Sequence, residues 1–379
     1  MVPDQTEALA RHVTVPVLAV DGNTIVPLAR LQGQGPAVTT AAHLRPRIHR
    51  DFADAWEHRA SATPRVPRVA RSSLLPFPVA DLGDVDGLLA RLPVDRSVSA
   101  VVGMPGGTVA ARRRLEEFLA RRLTGYAESR SEPSPPEAGH QSGLSPYLHF
   151  GHLSIEAVVE RALSTIDRWT PMNLEPRMAG RREGFYTRNA DVGAFLDEAI
   201  TWRDLGYHWH WSRRKDTESF ERALPAWALK TLADHADDER EYVYTPAEWE
   251  AGATHDPLWN AAQRELVVTG TIHSYLRMLW GKKVIEWSRS PDEAYRTLRS
   301  PQQQVRPRRP RPKFLGRHPV VLRALRPSVG ARAPGAGPHP LHVVRQHGAK
   351  VPPRTLSRLR GQPAQARLIA PSPGLPRPA

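Results

Sequence analysis

The chain has no cysteine among its 379 residues. Disulfides, thiolate metal sites and a cysteine nucleophile are therefore excluded. The N-terminus shows no basic start followed by an apolar stretch, so we expect no signal peptide and a cytoplasmic location. No apolar run approaches the roughly 20 residues that a membrane-spanning helix needs. We therefore expect no membrane contact, and no feature indicates a protein partner.

Acidic residues are also absent beyond Glu293. Residues 294–379 hold 16 Arg and 2 Lys, a charge of +18, whereas the whole chain carries +14. Residues 1–293 are therefore slightly acidic, so DNA binding by this part must depend on a local basic patch. The segment 299–379 is rich in Arg and Pro and has no Trp or Tyr. It cannot bury enough apolar surface to offset chain entropy, and we predict a disordered tail.

The rest of the chain predicts a mainly α protein. Residues 13–20, VTVPVLAV, predict one buried strand. A lone strand forms no stable sheet, which favours a remnant of an α/β Rossmann-like domain over 1–35 and irregular connection over 36–107. A helical domain is predicted over 108–298. Its helices are predicted at 108–124, after an N-cap at Ser154, at 192–207, at 258–269 after Pro257, and at 272–288. In the first of these, one face is predicted to carry Val109, Leu115, Leu119 and Leu123.

A first candidate site is the loop 141–151, QSGLSPYLHFG, with Tyr126 shortly before it. Backbone N–H groups and hydroxyls just before a helix can hold a phosphate, because the helix dipole favours an anion. The residues concerned are Ser142, Gly143, Leu144 and Ser145. An ordinary N-cap loop explains the pattern equally well.

A second candidate lies in 195–211, FLDEAITWRDLGYHWHW. Glu198 and Trp202 are four residues apart and share a helix face, so a carboxylate could contact a base edge while the indole stacks on it. Arg203 and Asp204 could contact a cofactor on the neighbouring face. The alternative is a buried Trp beside an exposed ion pair.

Three tryptophans form a third pattern. Trp280 and Trp287 are seven residues apart on a predicted helix, and Trp259 lies on the preceding one. Tryptophans in such a pattern usually belong to the hydrophobic core. The histidine pairs 149/152 and 208/210 lack a third ligand at a recognised spacing, so we predict no metal site.

The ordered runs GLSPYLHFG, FLDEAITWRDL, HDPLWNAAQREL and HSYLRMLWGKKVIEW resemble the photolyase/cryptochrome family. Within it the chain is most similar to class II cyclobutane pyrimidine dimer photolyases. The resemblance implies light-driven repair of UV-damaged DNA, in which reduced FAD passes an electron to a flipped-out pyrimidine dimer.

The resemblance also implies roles for single residues. Tyr126 and the residues 142–145 match positions that hold the phosphates and ribityl chain of FAD. Arg203 and Asp204 match further cofactor contacts. Glu198 and Trp202 match the carboxylate and aromatic ring that contact the dimer. The residues that match the electron-transfer tryptophans are Trp259, Trp280 and Trp287.

The chain departs from the family at both ends. Most of the N-terminal α/β domain is expected to be missing. From Gln302 the sequence reads QQQVRPRRPRPKFLGR. A coding sequence for this run can be chosen that, shifted by one nucleotide, reads Asn-Asn-Lys-Tyr-Ala-Leu-Asp-Gly-Arg-Asp-Pro-Asn, which resembles class II relatives. We therefore expect a frameshifted tail and weak or absent FAD binding, whereas the alternative is a genuine basic DNA-binding arm.

Two other functions remain open from the sequence. One is a cryptochrome-like flavin photoreceptor without repair activity, and the other is an inactive truncated product. A flavin absorbance band distinguishes the inactive product from the repair enzyme and the photoreceptor. Light-dependent dimer repair distinguishes the enzyme from the photoreceptor.

Overall fold

The structure is a computed structural model. The part of the chain that it describes is α-helical and contains no strand. This confirms the mainly α prediction. No helix within these ranges is long and apolar enough to cross a bilayer. The described residues are 2–17, 20–60, 81, 83–92, 101, 103–134, 139–212 and 219–299.

Sixteen α-helices are numbered here in chain order, all within those ranges. The first eight are α1 (Val2–His12), α2 (Leu28–Gly33), α3 (Ala41–Glu57), α4 (Val85–Arg91), α5 (Thr108–Arg121), α6 (Tyr126–Ser129), α7 (Ser145–His149) and α8 (Ile155–Leu163). The others are α9 (Ala190–Leu196), α10 (Arg203–Ser212), α11 (Phe220–Ala223), α12 (Ala226–Asp234), α13 (Pro246–Ala251), α14 (Pro257–Thr269), α15 (Ser274–Glu286) and α16 (Pro291–Arg299). Short 3-10 turns occur at Pro171–Asn173 and Pro176–Met178, and a π turn at Asp197–Trp202.

Three local predictions were wrong. Residues 13–17 form no strand, since no neighbouring strand pairs with them in the described chain. The segment expected to be irregular contains α3, which at 17 residues is the longest helix of the described chain. Val109 is 85% exposed, because the buried face of α5 is formed by Ala111, Leu115 and Phe118 instead. The boundaries at 35, 107 and 298 stay predictions, and the tail from residue 300 lies outside the described residues.

The larger core is built from both sides of the predicted boundary at 107. On α3, Leu44, Ile48 and Phe52 are fully buried at intervals of about one helical turn. They belong to one cluster with residues of α2, α5, α8 and α9. The side chain of Ser154 accepts a hydrogen bond from the N–H of Ala157, which confirms the predicted N-cap of α8.

A second core cluster is rich in tryptophan. It contains Trp249, Trp259, Trp280 and Trp287 from α13, α14, α15 and the residue that follows α15. Helix α10 connects the two cores, because Leu205 belongs to the larger cluster and Trp209 to this one.

The π turn between α9 and α10 is held by a buried ion pair. Arg45 of α3 donates from Nε to Oδ1 of Asp197 at 2.8 Å and from Nη2 to Oδ2 at 3.1 Å. Both side chains are at least nine-tenths buried. Because Asp197 is fixed toward the core, Glu198 is directed to the next face of the turn.

Candidate functional site

Tyr126 is held by hydrogen bonds of the backbone on either side of it and by packing of its ring. The carboxylate of Asp191 accepts hydrogen bonds from the N–H groups of Gly125 at 2.9 Å and Ala127 at 2.8 Å, which ties the start of α6 to α9. The ring packs edge-to-face on Phe195, with centroids 5.7 Å apart. Burial raises the pKa of Tyr126, and the charge of Glu198 raises it further.

Glu198 stands beside this tyrosine at the edge of the core. Its Oε1 lies 3.8 Å from Nε of Arg130, and about a third of the side chain is exposed. The guanidinium of Arg130 also lies 5.8 Å from the ring centroid of Tyr126. Trp202, at the end of the same π turn, is partly buried against the larger core. The structure thus brings Tyr126 and Glu198 together around Arg130.

The loop of residues 142–145 contacts a cation. Nε of Arg114 donates to the carbonyl of Ser142 at 2.8 Å. Gly143 has a φ of +68°, and a Cβ placed there would lie 2.7 Å from Nη2 of Arg114. The positive φ favours glycine at this position, and the guanidinium of Arg114 would have to shift to admit a Cβ. Leu144 is buried and Ser145 is exposed at the start of α7.

Arg203 and Asp204 contact the segment that precedes α2. Nη1 of Arg203 donates to the carbonyl of Asn23, and its guanidinium lies over Tyr207 at 4.7 Å. Asp204 is fully buried, and neither carboxylate oxygen has a hydrogen bond of normal geometry. Burial raises the pKa of Asp204 well above its usual range, although Arg203 and the N–H of Ile25 oppose this shift.

Helix α7 comes close to the start of α10. Burial lowers the pKa of His149, at the end of α7, and the charge of Arg203 lowers it further. Arg203 at the start of α10 therefore lies near the end of α7, whereas the three predicted electron-transfer tryptophans lie in the second core.

Those tryptophans contact one another through a fourth. The rings of Trp259 and Trp280 are nearly parallel, with centroids 5.6 Å apart. Helix α15 ends at Glu286, and Trp287 is its C-cap residue. The ring of Trp287 stacks at 6.1 Å on Trp249, which also contacts Trp259 at 4.8 Å.

Sequence reasoning missed four residues of this arrangement: Arg114, Arg130, Asp191 and Trp249. None lies in the motifs that carried the resemblance. The segment YTPAEWE contains one sequence signal for the helix that carries Trp249. Thr245 and Glu248 are spaced as a capping box, which predicts a helix start. Among the described residues, no group of three His, Asp or Glu could hold a metal.

Comparison with known proteins gives a consistent result. No family model matches the chain. It is 33% identical over 297 residues to the deoxyribodipyrimidine photo-lyase of Potorous tridactylus, covering 77% of this chain and 48% of that protein. It is 33% identical over 282 residues to that of Methanothermobacter thermautotrophicus, covering 74% and 54%. The resemblance to the photolyase/cryptochrome family is confirmed.

The chain is also similar to two further proteins. The rice enzyme of the same name, from Oryza sativa, is 36% identical over 220 residues, covering 56% of this chain and 39% of the relative. A solved class III photolyase from Agrobacterium tumefaciens gives a TM-score of 0.48 at 17% identity, over 96% of this chain and 72% of that one. The chain spans about half the length of the curated relatives it matches.

Proposed function

We propose that the photolyase-like chain binds FAD and repairs cyclobutane pyrimidine dimers in UV-damaged DNA with light. The observation that carries the proposal is the exposed edge of Glu198 beside Trp202 on the π turn, next to Arg130. A carboxylate, an indole and a guanidinium on neighbouring residues are suited to flipped-out bases, because the ring can stack and the polar groups can bond the base edges.

The residues fit the cofactor at two points. The open backbone of Gly143 against Arg114 suits a phosphate, because a guanidinium is a strong phosphate donor and no side chain intervenes. The buried Asp204 carboxylate, which lacks a normal hydrogen bond, suits a hydroxyl donor such as those of a ribityl chain. When bound and reduced, FAD supplies an electron to the dimer in light and takes it back after the ring opens.

The protein's contribution to repair is electrostatic. A bare carboxylate would repel negative charge on the dimer, so we propose that Glu198 donates a hydrogen bond in its protonated form when the lesion is bound. The cation of Arg130, whose Nε lies 3.8 Å from Oε1 of Glu198, would also attract negative charge on the dimer. Trp202 holds the dimer by stacking. The electron-transfer role of Trp259, Trp280 and Trp287 rests on the resemblance and on their ring contacts.

A flavin absorbance spectrum of the purified chain tests cofactor binding, and light-dependent restoration of a dimer-containing oligonucleotide tests repair. Bound flavin with no repair would favour the cryptochrome-like photoreceptor. No bound flavin would favour the inactive product and agree with the frameshifted tail, which sequencing of the gene around codon 300 checks directly. The tail itself lies outside the described residues.

Substitution of Glu198 tests its role. Glu198→Gln keeps a hydrogen-bond donor and should retain most repair, whereas Glu198→Ala removes it and should lose repair severalfold. Single-turnover repair after a light flash is the measurement. Glu116→Gln is the matched control, because Glu116 is a surface carboxylate that also pairs with an arginine, Arg161. A larger loss in Glu198→Gln than in Glu198→Ala would contradict the protonated form.

A further inference from the structure

The second core contains a continuous series of indole rings, which we call the indole path: Trp280, Trp259, Trp249 and Trp287. Successive ring centroids are 5.6, 4.8 and 6.1 Å apart. Within the described chain, the ring contacts of Trp259 are to Trp280 and Trp249, so Trp249 alone connects it to Trp287. Without Trp249, no ring contact within the described chain would connect Trp259 to Trp287.

Trp249 also contacts a residue that can end the path. Tyr244 packs edge-to-face on Trp249, with centroids 5.3 Å apart, and its hydroxyl lies 2.5 Å from Nδ1 of His255. Tyr244 is half-buried and His255 is exposed, so the path leads from the buried Trp280 to solvent. Trp249 therefore contacts both Trp287 and Tyr244, and these two rings also lie edge-to-face with centroids 6.0 Å apart.

The hydrogen bonding of the rings decides which of them can pass charge on. The indole N–H of Trp249 is buried and has no partner among the described residues. An oxidised Trp249 consequently has no nearby base to take its proton, so it stays a cation radical that a neighbour readily reduces. Tyr244, by contrast, can pass its hydroxyl proton to His255 when it loses an electron.

The charge beside Trp287 also favours electron transfer from Tyr244 to Trp249. The ammonium of Lys283 lies 4.9 Å from the ring centroid of Trp287, although Glu286 pairs with it at 2.9 Å. A positive charge over the ring opposes formation of a cation radical there. Oxidation at Trp249 is therefore directed to Tyr244 rather than held at Trp287.

We propose that Trp249 is an electron relay between Trp259 and the Tyr244–His255 pair. An electron moves from Trp249 to the oxidised Trp259, and one from Tyr244 then reduces Trp249. The hydroxyl proton of Tyr244 moves to Nδ1 of His255, which leaves a neutral tyrosyl radical and a protonated histidine. This inference rests on the proposed function, because it needs bound flavin; we take photoexcited oxidised flavin as the one-electron oxidant and an external thiol as the final reductant.

The test needs no flavin. Azide radicals generated by pulse radiolysis oxidise tryptophans of the purified full chain, and the absorbance of tryptophan and tyrosyl radicals is followed with time. We expect a phase, independent of protein concentration, in which tryptophan radical converts to tyrosyl radical. Trp249→Phe should lose this phase or slow it severalfold, because phenylalanine keeps the packing but is not oxidised.

Two controls separate a relay from a packing role. Trp56→Phe removes an indole that is as buried as Trp249, 4% exposed, but lies in the other core, and should leave the phase unchanged. Trp287→Phe should also leave it, because the contact between Trp249 and Tyr244 remains. Only variants with wild-type near-ultraviolet circular dichroism are compared, and Trp249→Leu replaces Trp249→Phe if the latter does not fold.

Wild-type transfer in a folded Trp249→Phe variant, or equal loss in Trp56→Phe, would overturn the relay. Failure of the proposed function is distinguishable from this result. A chain without bound flavin would overturn flavin-dependent repair and leave the radical transfer intact, whereas a flavin-binding chain with normal transfer in Trp249→Phe would overturn the relay alone.

Discussion

At the scale of single residues, Asp197 is the buried partner that keeps Arg45 neutralised. Removing one member of a buried pair leaves an uncompensated charge, so Asp197→Ala should lower the free energy of unfolding by about 3–5 kcal/mol. Urea denaturation measures the loss. The control is Asp234→Ala, which breaks the exposed pair with Lys230 and should cost about 0–1 kcal/mol. Similar losses in both variants would show that Arg45 finds another partner.

His49 gives the larger core a pH dependence. Its ring stacks on Phe185 at 3.7 Å, and burial, with the charge of Arg45, lowers its pKa from 6.5 to about 3. Between these values the unfolded chain binds a proton that the folded chain does not, so stability is complete above pH 6.5 and falls as the pH decreases. The slope for this group is about 1.4 kcal/mol per pH unit.

Urea unfolding at mildly acidic and neutral pH measures this dependence. His49→Gln should reduce the difference between the two conditions, since no imidazole is left to titrate. His58→Gln, at an exposed histidine just after the same helix, is the control and should keep the wild-type difference. An unchanged difference in His49→Gln would mean that other groups cause the pH dependence.

At the scale of helices, α13 depends on the capping box at its start. The carboxylate of Glu248 accepts from the N–H of Thr245 at 2.7 Å, and the Thr245 hydroxyl accepts from the N–H of Glu248. Thr245→Ala should cost about 1 kcal/mol of stability. It should also change the near-ultraviolet circular dichroism, because α13 carries Trp249. Ser154→Ala, at the cap of α8, should cost a similar amount without the spectral change, and a shared spectral change would contradict this assignment.

Local signals predicted some helices well and others not at all. Ser154 and Pro257 begin helices as predicted, since caps act within one turn. Helix α3 was missed because Pro46 interrupts its pattern and polar Arg45 and His49 lie on its buried face. Their burial depends on Asp197 and Phe185, far away in sequence, and no local pattern contains that information.

At the scale of the whole molecule, the sequence predicted candidate site residues but not the neighbours that pack around them. The motifs located Glu198, Trp202 and the loop at 142–145. The neighbours that complete them, Arg130 and Arg114, come from other helices and carry no motif of their own. Such pairings are set by how the helices pack, which a linear pattern does not specify.

The uneven charge along the chain predicts how the whole molecule binds DNA. Residues 294–379 carry all the excess positive charge, and cations that neutralise phosphates release counterions, so their affinity falls with salt. A chain ending at residue 299 should bind undamaged duplex DNA more weakly than the full chain and with a smaller dependence on salt. Fluorescence anisotropy over a series of salt concentrations measures both, and equal slopes would assign non-specific binding to the helical part.

The π turn at Asp197–Trp202 has a consequence for evolution and engineering of this chain. It holds one residue more than an α-helical turn, so every side chain after it is rotated by about 100° from the position that an unbroken helix would give. Deleting a single residue there, such as Ala199, would restore the regular pitch. Leu205 and Trp209 would then leave the two cores that they now join, and the packing of α10 between those cores would be lost although no core residue had been replaced.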